Sequence, residues 1–466
     1  MKDNSIERRE FIKRLGVGSV SLGLSSSTPR FIAKTPDGIV VDSPEEYGGF
    51  LVEKISDLNF PYEYDPIVLK RMSERSTTFS RNVWDPDRQD RPESGEDLAY
   101  INLVEGKGQI PNQTRLDYAL MAASWHTANV HDRASYQWEL HRGMVRGLGL
   151  HELGQWDPAD LDMSWEEATL AVKHAALFYG ASLAGVAELN PLWLYSDCFS
   201  PRKEDRKHAI PVLSEADRFG QTDEALYIPQ SMNRVVALAF EEDFYGIANS
   251  PGRLASAAVG DGYSRMAYTA ATLAEFIRGL GYRAIPAGNG VGLSIPIAID
   301  AGLGELGRLG LLITPKYGPR VRLAKVITDM PILPDPRINF GVAEFCEACM
   351  LCADDCPSTA ITHGPRTWEG KSPSNNPGSL KWYIESEKCY DFNGFSCSNC
   401  KRVCPFTKPN NSWLHRIIRK AIEGRIGPLN TLMVTLDQAS DYGQKLQNRE
   451  FWSMDGTKCI TSRESM

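Results

Sequence analysis

The run Cys346-x2-Cys349-x2-Cys352-x3-Cys356-Pro357, answered by Cys397-x2-Cys400-x3-Cys404-Pro405, limits what this chain can fold around more than any other feature. Thiolates two residues apart turn inward on one tight loop and hold three corners of an iron–sulfur cube. The cysteine before the proline points away and completes the other cube of a two-cluster ferredoxin. The second run is one cysteine short at the usual spacing, and Cys389 lies close enough upstream to serve. The spacing therefore assigns Cys346, Cys349, Cys352 and Cys404 to one [4Fe–4S] cluster, and Cys356, Cys389, Cys397 and Cys400 to a second. Zinc favours well-separated CxxC pairs, and disulfides do not require such density. Cys198 and Cys459 stand apart and are not expected to be ligands.

At 466 residues, 42% hydrophobic and 24% charged, the chain is long enough for two or three globular domains. A net charge of −8 argues against a nucleic-acid binder, which would present a basic surface. No window approaches 18 consecutive apolar residues, the length that reads as a membrane span. Near the start, Arg8-Arg9-Glu10-Phe11-Ile12-Lys13 precedes a mildly apolar Gly/Ser-rich run from Leu15 to Leu24, the pattern of a twin-arginine export signal. An oxidising compartment turns cysteines into disulfides. Clusters reach it intact when the protein folds around them first, and the twin-arginine route carries folded cargo. A redox enzyme exported to the outer face of the cytoplasmic membrane is the expectation.

The chain divides into a signal (1–33), an N-terminal unit (34–155), a core (156–335), a cluster domain (336–410) and a tail (411–466). Ser164-Trp-Glu-Glu167 is a capping box that predicts a helix through about Ala187. A second helix is predicted over about Arg265–Arg278, stopping at Gly279 and Gly281. Ser294–Ile299, Leu309–Thr314 and Val321–Thr328 read as strands, residues 197–226 as polar surface, and 413–422 as a helix of the tail. Mixed helices and short buried strands indicate an α/β or α+β core, with Pro331, Pro334 and Pro336 linking it to the cluster domain. Gly302-Leu-Gly-Glu-Leu-Gly307 matches GxGxxG formally, but Gly310, Pro315 and Gly318 interrupt the helix that a dinucleotide site needs. Nine glycines between 279 and 310 indicate either a run of tight turns or a backbone that closely approaches a large flat ligand.

Taken together, the export signal, Gly262-Tyr-Ser-Arg-Met266, Ala287-Gly-Asn-Gly-Val-Gly-Leu293, Ala301-Gly-Leu-Gly-Glu305, Ile313-Thr-Pro-Lys-Tyr-Gly-Pro-Arg-Val-Arg322 and the two cysteine runs resemble the corrinoid-dependent reductive dehalogenases of organohalide respiration. The resemblance is strongest from about Tyr263 to Pro405. It implies a nitroreductase-like core burying a base-off corrinoid, near Gly288, Gly290, Gly292, Gly302 and Gly304, followed by a ferredoxin-like two-cluster domain. It implies electron flow from the Cys346 cluster to the Cys356 cluster and on to cobalt. A small organohalide (chlorinated ethene, ethane or aromatic) is the implied substrate. The implied partners are a small hydrophobic membrane-anchor protein and an electron-donating respiratory protein. In agreement with base-off binding, no D-x-H-x-x-G stretch offers a histidine ligand.

The family's catalytic residues map by motif onto Tyr263, Asn289 and Arg322. Reductive loss of halide leaves negative charge on carbon that a proton must quench, and a tyrosine still holds its proton at neutral pH. An arginine alongside stabilises the phenolate left behind, and an asparagine amide orients the phenol or contacts the halide through its N–H. Arg320 alternates with Arg322, so one of the two is free to face solvent. Phe79, Trp84, Trp125 and Phe392 are candidate pocket walls that sequence does not place. Two other readings compete: an epoxyqueuosine reductase, which shares the cluster spacing and acts on tRNA, and an iron–sulfur electron-transfer subunit, which would not need so large a core.

Overall fold

The computed structural model describes residues 45–47, 50–55, 63–88, 114–131, 163–199, 209–393 (except 215–217 and 223), 396–407, 434 and 443–453. The expected export signal, the tail helix over 413–422 and Cys459 lie outside the described residues. The predicted border between core and cluster domain falls inside one compact unit, residues 41–466.

At the centre is a four-stranded antiparallel sheet of β1 (Leu183–Glu188), β2 (Arg234–Glu241), β3 (Ala284–Ala287) and β4 (Val321–Thr328), in the spatial order β1-β2-β4-β3. Its strands are apolar on both faces, because both are covered. Val236, Leu238, Phe240, Ala324 and Val326 pack beneath helices α2 (Trp165–Phe178) and α3 (Arg253–Gly279). The alternate residues Val235, Ala237, Ala239, Val321 and Ile327 pack against α4 (Ser294–Asp300). Period-two alternation thus feeds two cores from one sheet. A further helix, α1 (Arg115–His131), lies along α3.

The capping box at Ser164–Glu167 is present, but α2 ends at Phe178, short of the predicted Ala187. Gly180 takes φ +106°, and the N–H groups of Gly180 and Ala181 return to the carbonyls of Leu177 and Ala176. This left-handed stop turns the chain into β1. Helix α3 begins at Arg253, well before the predicted Arg265. Gly260 and Gly262 look like breakers in sequence, yet each is a point of close approach. A Cβ on Gly260 would sit 2.6 Å from the Trp125 ring, and one on Gly262 2.9 Å from Cγ of Arg322.

Ser294–Asp300 is a helix and not the predicted strand. Its β-branched residues favour a strand locally, but Pro296 falls in the first helical turn, where no N–H is needed. Val321–Thr328 is a strand as predicted, whereas Leu309–Thr314 contributes only Leu312–Ile313. The stretch expected as polar surface instead buries Cys198, Phe199, Ile210, Val212 and Leu226 in the core, on the strands Asp197–Phe199, Ala209–Leu213 and Leu226–Tyr227.

Candidate active site

Tyr263 lies on the face of α3 that meets the sheet and is only 2% exposed. Its hydroxyl accepts Nδ2–H of Asn289 at 3.1 Å and Nη1–H of Arg322 at 3.3 Å. The three predicted residues therefore converge on one phenolic oxygen from a helix, the loop after β3, and β4. The Arg322 guanidinium also lies 4.5 Å from the centre of the Tyr263 ring, so the same cation faces both the π cloud and the oxygen. Trp125 stacks on the Tyr263 ring at a centroid distance of 5.1 Å, its indole N–H donating to the Ser256 carbonyl at 3.1 Å. Of the four aromatic wall candidates, Trp125 alone is seen to pack on Tyr263. Phe79 packs edge-on to Tyr390, Trp84 lies under Arg75, and Phe392 is exposed.

Both alternating arginines are engaged. Arg320 pairs with Glu241 at 3.0 Å and donates to the Thr407 carbonyl, while Arg322 pairs with Glu242 at 2.9 Å. Sequence reasoning did not single out Glu242. Its carboxylate is fully buried and also accepts Nζ–H of Lys401 at 2.5 Å. Burial alone would push the Glu242 carboxyl up, but Lys401 and Arg322 outweigh it and hold the group below the usual carboxylate range. A second missed residue, Lys325, is wholly buried on the opposite face of β4. Its ammonium donates to the Gly288 carbonyl at 2.6 Å and to Oγ of Ser294 at 3.0 Å, pinning the loop that carries Asn289.

The cysteines of the two runs and Cys389 lie close enough to feel one another. Burial first, and neighbouring thiols second, push the following thiols up: Cys352 feels Cys346, Cys404, Cys349 and Cys400, while Cys389 feels Cys397 and Cys356, and Cys400 feels Cys389, Cys397 and Cys356. Cys346 and Cys400 both reach about 12. Such sets of buried thiols, each disfavoured as a bare thiolate, match a cationic iron–sulfur core as their partner. Among the described residues no three Cys, His, Asp or Glu side chains converge as a single-ion site. Cys198 is buried elsewhere, on a core strand.

Two residues tie the first cysteine loop to the core. Glu305, 2% exposed, accepts the N–H groups of Phe340 and Val342 at 2.6 and 3.3 Å, at the start of α5 (Val342–Ala348), the helix that bears Cys346. Arg308, 1% exposed, donates to the carbonyls of Cys346, Thr362 and Gly364 and stacks over Trp382 at 4.7 Å. The formal GxGxxG stretch is thus a scaffold for the cluster loop. Gly302, at φ +70°, abuts the Pro336 carbonyl and Gly304 the Ile313 carbonyl, while Gly292 abuts that of Trp193. At these three glycines the close approach is to the chain's own backbone. Gly288 offers its carbonyl to Lys325, and Gly290 follows Asn289 in the same loop.

A cleft of about 250 Å³ runs between α4 and residues 374–386, walled by Trp193, Leu293, Ile295, Ile299 and Trp382. The buried indole N–H of Trp382 has no hydrogen-bond partner among the described residues, and burial pushes the Lys381 ammonium, also lining the cleft, down to about 8. Apolar walls with a few polar groups are the usual character of a ligand site. Leu293 lines this cleft four residues beyond Asn289 in the chain, whereas Tyr263 packs in the core on the other face of the sheet.

Residues 345–407 match the 4Fe-4S double cluster binding domain. The fold resembles that of a solved catabolic reductive dehalogenase, with a TM-score of 0.58 at 19% identity, covering 85% of this chain and 49% of that one. A tetrachloroethene reductive dehalogenase of Desulfitobacterium hafniense is 39% identical over 58% of this chain and 55% of its own length. The chain thus spans about half the length of some of the relatives it matches. A tetrachloroethene reductive dehalogenase of Sulfurospirillum multivorans is 40% identical over 367 residues, 74% of this chain and 72% of that protein. With that identity sustained across most of both sequences, the chain belongs to the reductive dehalogenase family.

Proposed function

We propose that this protein replaces a halogen by hydrogen on a small organohalide, R–X + 2e⁻ + H⁺ → R–H + X⁻, with Tyr263 as the proton donor. The observation that carries this reading is a buried phenol that receives N–H bonds from both Asn289 and Arg322. Donors aimed at an oxygen about to become an anion stabilise the charge as it develops. Asn289 fixes the direction of the phenol, and Arg322 carries the compensating positive charge. Trp125 and the wall of α3 keep bulk water from the ring.

The apolar walls of the cleft at Leu293, Ile295, Ile299 and Trp382 support it as the place that would hold part of a base-off corrinoid, which would supply the low-potential metal chemistry that breaks the carbon–halogen bond. One solved relative of this fold carries out B12-dependent dehalogenation. The two cysteine quartets would hold clusters able to feed electrons toward that cleft, with the Cys356 set nearer to Lys401 and Glu242. Curated relatives act on tetrachloroethene and trichloroethene, which makes chlorinated ethenes the first class to try. Export by the twin-arginine route, a small hydrophobic membrane-anchor partner and a respiratory electron donor complete the proposal, supported by Arg8, Arg9 and the apolar run to Leu24. Among the described residues no helix is long and apolar enough to cross a membrane.

The test is anaerobic purification, metal analysis, and halide release from chlorinated ethenes, ethanes and aromatics with a low-potential donor. About eight irons, one cobalt and halide release are expected. Four irons, or no corrinoid after reconstitution, would point to an electron carrier. Specific tRNA binding without halide release would point to an epoxyqueuosine reductase.

A further inference from the structure

Glu242 follows directly on β2 and touches both Arg322 and the second cysteine run. Its backbone N–H donates to the Arg320 carbonyl at 2.8 Å, which fixes its Cα beside β4. Oε1 takes Nε–H of Arg322 at 2.9 Å and Oε2 takes Nζ–H of Lys401 at 2.5 Å, with side-chain exposures of 0% for Glu242 and 6% for Lys401. A guanidinium is a rigid planar fork. Tying its Nε edge to Glu242 sets the plane in which the remaining nitrogens lie, and Nη1 then reaches Tyr263. Gly262 leaves the space through which the Arg322 stem passes.

Lys401 lies in α6 (Asn399–Arg402), between Cys400 and Cys404. That segment is fastened to the core on both sides. Oγ of Ser250 donates to Asn399 at 2.9 Å and accepts the Ser398 N–H at 2.6 Å, Gly252 N–H donates to the Ser396 carbonyl at 2.9 Å, and Arg320 reaches the Thr407 carbonyl at 3.2 Å. A wholly buried carboxylate held by two cations from separate parts of the chain is costly unless its geometry is well kept. Its two oxygens therefore join the placement of the cysteine segment to the orientation of Arg322.

We propose that Glu242 is a positioning residue that aims Arg322 at Tyr263, and that Lys401 makes this aim depend on the correct seating of the Cys397–Cys404 segment. The proposal rests on Tyr263 being the proton donor. Glu242→Gln alone strands a buried ammonium and is at risk of misfolding, so the principal variant is the double Glu242→Gln/Lys401→Met, which removes both charges of the inner pair.

The double variant is made in the wild-type and in the Tyr263→Phe protein, each loaded with clusters and corrinoid. In the wild-type background it should keep its iron, hold KM within about twofold and lose on the order of 10–100-fold in kcat, the pattern of an interaction realised in the transition state. In the Tyr263→Phe background it should cost less than about twofold more, because the residue acts only through that phenol. Equal losses in both backgrounds, or an unchanged kcat, would overturn the proposal. A second readout does not depend on turnover: in a crystal structure of the double variant the Arg322 guanidinium should no longer lie within hydrogen-bond distance of the Tyr263 hydroxyl. If wild type releases no halide from any substrate, the proposed function fails by itself. The position of Arg322 then decides whether Glu242 aims it, and an unmoved guanidinium would refute the proposal.

Discussion

Replacing Tyr263 by Phe removes one oxygen and leaves the ring that fills the site. In the folded protein that oxygen receives one N–H at 3.1 Å and another at 3.3 Å, the second at the long end of the useful range. Arg322 keeps its ion pair with Glu242 and its place over the ring, so it is not orphaned. Only Asn289 loses a well-formed acceptor. The stability cost should therefore be about 1–2 kcal/mol, the lower part of the range for an unsatisfied buried donor. That is small against a typical domain stability of roughly 5–15 kcal/mol, so the variant should fold and load its cofactors. The effect on turnover should be larger. A positioned general acid is worth about 10²–10⁴-fold, or roughly 2.7–5.4 kcal/mol of barrier. The assay is halide release at matched iron and cobalt occupancy with reductant saturating. Activity within about threefold of wild type would show that water or another group supplies the proton, and the role given to Tyr263 would be wrong even with dehalogenation intact.

Cys349→Ala should lose about four irons, whereas Cys198→Ala, on a core strand apart from both quartets, should lose none; metal analysis separates the two. Gly262→Ala should gain up to about 1 kcal/mol in helix propensity but push its Cβ to 2.9 Å from Cγ of Arg322, so melting should change little while turnover falls at least tenfold, the rough cost of a misaimed catalytic group. Burial raises the Glu74 carboxyl from 4.5 to about 8, opposed by the Phe199 N–H and by Lys325. A raised acid stabilises the fold fully below its unfolded value and loses that contribution as pH rises through its folded value. Relative to Glu74→Gln, wild type should therefore lose stability between about pH 4.5 and 8; urea unfolding across that range that shows a relative gain would contradict the assignment.

The double-cluster domain was legible because cysteine spacing is short-range chemistry: thiols two and three residues apart can share a cube whatever the rest of the chain does. Strand Val321–Thr328 was legible for the same reason, its alternation being local. Tyr263, Asn289 and Arg322 were reachable only through the resemblance of their motifs, since nothing local distinguishes a catalytic tyrosine from a core one. The long-range parts were hidden. Glu242 meets Arg322 across 80 residues and Lys401 across 159, and no sequence window contains such a pair. Ser294–Asp300 became a helix against its β-branched residues because packing beneath the sheet outweighs a local preference of about a kcal/mol. At Gly260 and Gly262 the missing side chain is visible in sequence, while the Trp125 and Arg322 side chains that occupy the vacated space are not. The sequence by itself determined which atoms can bind iron. Tertiary structure decided which charges face Tyr263, because a buried ion pair needs both partners brought together from distant segments before either is tolerable out of water.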